Sequence, residues 1–202
     1  MWHEYGVNRP DVPDRRKPRA VRPLDAARLD ELALGYVARF ATSTGKLAAY
    51  LNRKLRERGW HEDAPEGADP AEIVGAVVAR MAAAGYVSDE GYARMRGASL
   101  RRRGLGARRI AQDLGQAGIA AEVREDALGS QREARAAALA LARKRRLGPF
   151  GPRDEAGRID PALREKQVAT FLRAGHPLAM ARALVNAAGE REAEDWVYEA
   201  DD

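Results

Sequence analysis

From Leu24 onward, apolar residues recur at three- and four-residue spacing, the pattern that turns one side of an α-helix toward a core. Leu29, Leu32, Ala33, Tyr36, Val37 and Phe40 fit a first helix, with Asp25 as a cap that accepts backbone N–H bonds. Leu47, Tyr50, Leu51 and Leu55 fit a second, capped by Ser43 or Thr44 and stopped at Gly59. Asp69 and Pro70 open a third, whose face carries Ile73, Val74, Val77, Val78 and Met81 and which ends at Gly85. Ser88 caps the fourth; Tyr92, Met95, Ser99 and Leu100 define its inner side, and Gly104 and Gly106 break it. The fifth holds Ile110, Ala111, Leu114 and Ala117 and stops at Gly118; a short sixth covers 120–128. The seventh, over 130–146, turns Ala134, Ala138, Leu141 and Ala142 inward. Pro161 opens the eighth, with Val168, Phe171 and Leu172 inside and Gly175 at its end. The ninth carries Leu178, Ala181, Leu184 and Val185 and ends near Gly189. Strand-like alternation is rare, so the expected class is all-α.

The stops form a series. Gly59, Gly118 and Gly175 close the second helix of successive trios, at intervals of 59 and 57 residues. Three tandem three-helix repeats account for this, over 24–84, 85–129 and 130–188. No trio is large enough to bury its own faces well, so neighbours should stack into an elongated, curved rod. The polar segment HEDAPEGAD and the Gly- and Pro-rich LGPFGPRDEAGRIDP read as loops. Residues 1–23 hold four prolines and little apolar content, and read as a disordered basic arm. Residues 189–202 read as a solvated acidic tail. It carries −6, so the remaining chain carries +11 of the net +5.

Composition narrows the function. The absence of cysteine removes disulfides, thiolate catalysis and cysteine-ligated zinc. No run of about 18 apolar residues suggests a membrane span, and the first residues carry no apolar secretory core, which places the protein in the cytoplasm. His3, His61 and His176 match no metal-ligand spacing, and His176 reads as a helix-start residue. Gly104-Leu105-Gly106 lacks the lysine ending and preceding strand of a phosphate loop. Trp2, Trp60 and Trp196 are too scattered for a base-stacking platform; Trp60 reads as a staple between repeats. No catalytic constellation, metal site or cofactor is expected, and the chain is not read as an enzyme.

The basic residues remain. Arg94, Arg96, Arg101, Arg102, Arg103, Arg108 and Arg109 lie on two consecutive helices with no acid among them, and Arg143, Lys144, Arg145 and Arg146 follow one repeat later. Cations are favoured in the last turn of a helix, which gives part of this cluster a structural reason. Arginine forks also suit phosphates and carboxylates. The expected binding face comprises Arg94, Arg101, Arg102, Arg103, Arg108, Arg109, Arg143, Lys144, Arg145 and Arg146. Alternatives of another class are a direct DNA-binding helical module or a generic helical-repeat scaffold for an acidic protein partner.

One stretch carries a family resemblance. Residues 85–119, GYVSDEGYARMRGASLRRRGLGARRIAQDLGQAGI, resemble the central signature of the bacterial RecX family of regulatory proteins. The matching features are the GY turn followed by an acid, an aromatic-containing helix, the basic break, the R-I-x-x-x-L helix and the Gly-Ile stop. KLAAYLNRKLRERG before it and KQVATFLRAGHPLAMARALV after it match the flanking repeats, so the resemblance spans about 24–188. Ser88 departs from the acid often found there but can still cap the helix. The resemblance implies three three-helix repeats in a curved, elongated molecule, and a monomer is expected. It also implies that the RecA recombinase filament is the partner, with single-stranded DNA met directly or through the filament. The activity implied is modulation, mainly inhibition, of ATP hydrolysis, strand exchange and co-protease function in DNA repair and the SOS response.

Overall fold

Side-chain caps fix where six of the described helices begin. In the structure, a computed structural model that describes residues 23–60, 69–154 and 158–199, the elements among those residues are helices, with one isolated bridge between Leu24 and Trp60. The first repeat comprises α1 (Ala26–Val37), α2 (Thr44–Arg58) and α3 (Pro70–Ala83). The second comprises α4 (Asp89–Arg102), α5 (Ala107–Gln116) and α6 (Ala121–Asp126). The third comprises α7 (Gln131–Arg145), α8 (Pro161–Ala174) and α9 (Leu178–Asn186), followed by α10 (Glu190–Asp195). Asp25, Ser43, Asp69, Ser88 and Asp160 each accept a backbone N–H of the first turn they precede. Ser130 and Glu133 form a reciprocal capping box at α7. Gly59, Gly118 and Gly175 all take positive φ, at 75°, 78° and 93°, where a Cβ would be strained.

Each repeat has its own core. Leu24, Leu29, Leu47, Leu51, Val74, Val77 and Met81 pack together in the first. Tyr92, Leu100, Ile110, Leu114 and Ile119 do so in the second. Leu141, Val168, Phe171, Leu184 and Val185 do so in the third. Trp60 packs against the first core beside Leu24 rather than between repeats, because Leu24 donates to the Gly59 carbonyl (2.9 Å) and holds that corner closed.

Several expected core positions are exposed. α1 ends at Val37, so Phe40 leaves the helical period and stands 55% exposed, its ring tilted against Tyr36. Met95 is 48% exposed. The buried side of α4 is instead Tyr92, Ala93, Gly97 and Leu100, and at Gly97 a Cβ would come within 2.6 Å of the Ala127 carbonyl oxygen. Small residues face inward there because the chain after α6 passes close. Leu178, the first residue of α9, is also exposed, and the core side begins at Ala181.

The segment after Gly189 departs from a solvated tail. Ala193 and Val197 are buried in the third core, and Trp196 packs against it. Arg135 lies over the Trp196 ring at 5.2 Å and donates to the Glu199 carbonyl at 2.8 Å. Two buried apolar residues at i and i+4 outweigh the acidic character of the segment, whose carboxylates through Glu199 remain on the outer side. The expected arm at 1–23, His3, His61 and most of HEDAPEGAD lie outside the described residues, apart from the arm's last residue. In the other long loop, Gly148–Phe150 forms a 3-10 turn where no regular element was expected.

The repeats join through close main-chain approach together with side-chain hydrogen bonds. Between the first and second, Ser43 donates to the Ala117 carbonyl (2.5 Å), and Asp89 accepts from the Thr44 amide (2.8 Å) and hydroxyl (2.7 Å). A Cβ on Gly45 would sit 2.8 Å from the Gly118 Cα. Between the second and third, the Gly106 amide donates to the Ala174 carbonyl (2.9 Å), and a Cβ on Gly106 would sit 2.5 Å from the Gly175 carbonyl carbon. The two joints thus use the same device: glycine near the start of one repeat's second helix meets the glycine stop of the next.

His176 belongs to the second joint. It is 3% exposed, its Nε2 lies 3.0 Å from the Gly104 carbonyl, and its ring meets Phe171 edge-on at 5.8 Å. A carbonyl only accepts, so Nε2 carries the proton and donates. Burial pushes the imidazole below its usual range, and the Gly104 bond opposes this in part. The folded chain therefore binds fewer protons here than the unfolded chain, whose histidine titrates near about 6.5. Stability from this site is complete above that value and is lost as pH falls toward the folded value. Urea midpoints are expected to drop between about pH 7 and pH 5, and His176→Gln should flatten that slope. An unchanged slope in the variant would refute the assignment.

Candidate basic interface

The basic residues divide into those already engaged and those facing solvent. Arg96 pairs with Asp113 through two bonds of 2.7 and 2.8 Å, and this hydrogen-bonded guanidinium holds the Asp113 carboxyl below the usual carboxylate range. Arg101 donates to the Ala127 carbonyl (2.7 Å) and to Glu133 (3.2 Å), and its side chain is only 14% exposed. It ties α4 to the end of α6 and the start of α7. Arg108 donates to the Leu172 carbonyl (2.6 Å) across the second joint, and Arg109 to Gln112 (2.7 Å). Arg143 pairs with Glu194 of α10 and lies over the Phe150 ring. These contacts give Arg101, Arg108 and Arg143 structural work that the linear cluster did not reveal.

A second group converges. Arg103 at the end of α4, Lys144 and Arg145 at the end of α7, and Thr170 and Arg173 at the end of α8 line one cleft of about 420 Å³. Its remaining walls are Leu105, Leu141 and Ala174. Four cations face it and no carboxylate lines it. Among the described residues, none of the four has a carboxylate within ion-pair distance, whereas Arg96, Arg101 and Arg143 each have one. Three helix C-termini meet here, and their partial negative charge accounts for some of the attraction. Several of those terminal carbonyls are already satisfied. Leu147 bonds the Ala142 carbonyl, His176 that of Phe171, and Gly106 that of Ala174. The four full charges thus exceed what the helix ends neutralise.

Arg102 faces a neighbouring groove of about 360 Å³ between α4 and α7, floored by Ala98, Ala136, Ala137 and Ala140. Arg94 is exposed on α4, and Arg146 is exposed just after α7 in a left-handed conformation, φ 55°. Of the expected residues, the structure therefore brings Arg103, Lys144 and Arg145 together and disperses the others. It adds Arg173 and Thr170, which sequence reading missed. Arg173 donates to the Thr170 hydroxyl at 3.2 Å. The available signal was its place in the last turn before Gly175, matching Arg103 before Gly104. Among the described residues, no group of three His, Asp or Glu side chains is placed to hold a metal ion. No helix there is long and apolar enough to cross a membrane.

Comparison with known proteins bears on the fold and the family. The family model described as RecX, second three-helix domain, matches residues 88–128. Those residues span α4 to α6. The crystal structure of RecX from Lactobacillus salivarius superposes with a TM-score of 0.60 at 15% identity, covering 79% of this chain and 94% of that one. A second crystal structure, of regulatory protein RecX, gives 0.58 at 19% identity, covering 79% and 70%. These two establish the all-α, helical-repeat fold. The regulatory protein RecX of Myxococcus xanthus strain DK1622 is 33% identical over 185 residues, spanning 88% of this chain and 94% of that protein. With that identity over nearly the full length of both chains, the protein belongs to the RecX family of regulatory proteins.

Proposed function

We propose that this chain binds the RecA recombinase filament on single-stranded DNA and mainly inhibits its ATP hydrolysis, strand exchange and co-protease activity, in DNA repair and the SOS response. The observation that carries the reading is the cleft of unpaired cations where the second and third repeats meet. It lies on a molecule of three repeats in series, which offers a polymer more than one contact surface. Linked contacts of that kind raise affinity without new chemistry, and a molecule bound across subunits resists the rearrangements that ATP turnover needs. The chain acts by binding, as a cytoplasmic monomer, rather than as an enzyme. Its cations meet either acidic filament surface or DNA phosphates.

The test is single-strand-dependent ATP hydrolysis by the recombinase. Sub-stoichiometric wild-type protein is expected to suppress it. The triple variant Arg103→Gln, Lys144→Gln, Arg145→Gln should need about tenfold more protein for the same effect, as expected on losing three charge-assisted contacts. No suppression at any ratio would end the proposal.

A further inference from the structure

We infer that the cleft between the second and third repeats is a binding site for adjacent phosphate groups, and that filling it locks the joint between those repeats. The inference deepens the proposed reading by naming what the cleft takes. It is nevertheless tested without recombinase, so either can fail while the other stands.

The composition of the cleft points to phosphate. Its rim carries three guanidinium-type or ammonium charges from the third repeat, Lys144, Arg145 and Arg173, and one from the second, Arg103. Thr170, half-buried between them, donates its hydroxyl proton to the Lys166 carbonyl (2.9 Å) and accepts from Arg173 (3.2 Å), so it orients Arg173 and is not itself a donor to an anion. Planar guanidinium forks and a point-charge lysine are the side chains that hold phosphate oxygens. A single carboxylate would leave most of these cations uncompensated. Two neighbouring phosphates, each carrying charge on several oxygens, match four cations far better. The floor of Leu105, Leu141 and Ala174 is apolar and leaves room beside the charges for a sugar or base. A volume of about 420 Å³ falls in the range of ordinary ligand clefts.

The walls and the joint are the same residues. Leu105 and Ala174 line the cleft, and the neighbouring Gly106 amide donates to the Ala174 carbonyl. Arg108, two residues on, bonds Gly175 through its amide (3.3 Å) and Leu172 through its guanidinium (2.6 Å). On the other side of Leu105, the Gly104 carbonyl accepts from His176. With the cleft empty, like charges from two repeats face each other and favour opening of the joint. An anion bridging Arg103 to Arg173 reverses the sign of that interaction. The phosphates can come from a nucleotide's phosphate chain or from the backbone of a single-stranded nucleic acid, since both present adjacent phosphates.

The experiment measures affinity and amide exchange together on the full chain. The two probes are inorganic tripolyphosphate and a short oligothymidylate. Arg103→Gln with Arg173→Gln removes one charge from each side of the joint. Arg39→Gln with Arg164→Gln removes the same charge from exposed positions outside the cleft. The first pair should weaken binding of at least one probe by about tenfold, and the second by less than about twofold. Exchange of the Gly106 and Arg108 amides should slow on binding to the wild-type chain. Tripolyphosphate binding identifies a nucleotide-type phosphate chain as sufficient; binding of oligothymidylate alone identifies the nucleic-acid backbone. Equal weakening by both pairs would mean diffuse attraction to a basic surface and would overturn the site. Binding of neither probe, or exchange unchanged at both amides, would overturn the inference equally.

Discussion

Gly106→Ala should destabilise the protein by about 3 kcal/mol, a large loss for one methyl group, because overpacking and a lost hydrogen bond act together. The added Cβ would meet the Gly175 carbonyl carbon and oxygen at 2.5 Å and the His176 amide nitrogen at 2.6 Å. All three are main-chain atoms, so no side chain can swing away. Relief requires the second and third repeats to move apart, which breaks the Gly106–Ala174 bond and strains that of His176 to Gly104. The same substitution at Gly75 should have the opposite sign. Gly75 lies inside α3, is exposed and has nothing within 4 Å of an added Cβ. There alanine should stabilise by about 0.5–1 kcal/mol through helix propensity. Urea unfolding of the two variants beside the parent checks both. A Gly106→Ala midpoint equal to that of the parent would show that the joint is compliant.

Phe171→Ala should cost about 3–5 kcal/mol, the range for emptying a buried aromatic site. Phe171 is fully buried in the third core and braces His176 from α8, so its loss leaves a cavity beside the joint. Phe40→Ala should stay within about 0.5 kcal/mol, as for most exposed positions. The two phenylalanines read alike in the sequence, since each continues an amphipathic period. Chemical denaturation separates them, and equal costs would place Phe40 in a core it does not touch in this structure.

That pair shows what was legible in the chain and what was not. Caps and stops were readable because they act within four residues: Asp25, Ser43, Asp69 and Ser88 do at their helices what local hydrogen bonding requires. The glycine series gave the repeat, since a stop at positive φ favours glycine, although Arg146 takes such a φ after α7 without it. Phe40 and Met95 were misplaced because burial is decided by where a helix ends and by what passes beside it. Charge was harder still. Arg101 and Arg143 looked free because their carboxylate partners, Glu133 and Glu194, lie 32 and 51 residues away. Arg173 went unnoticed because the cleft exists only once α4, α7 and α8 bring their ends together. The segment after Gly189 looked solvated because seven acids outnumber its two buried apolar residues, although those two decide its place.

The paired glycines at the two joints carry one more consequence. Peptide groups there touch peptide groups, so the closest approach of one repeat to the next is set by bond lengths and van der Waals radii. A different closest approach would therefore require giving up one of these glycines.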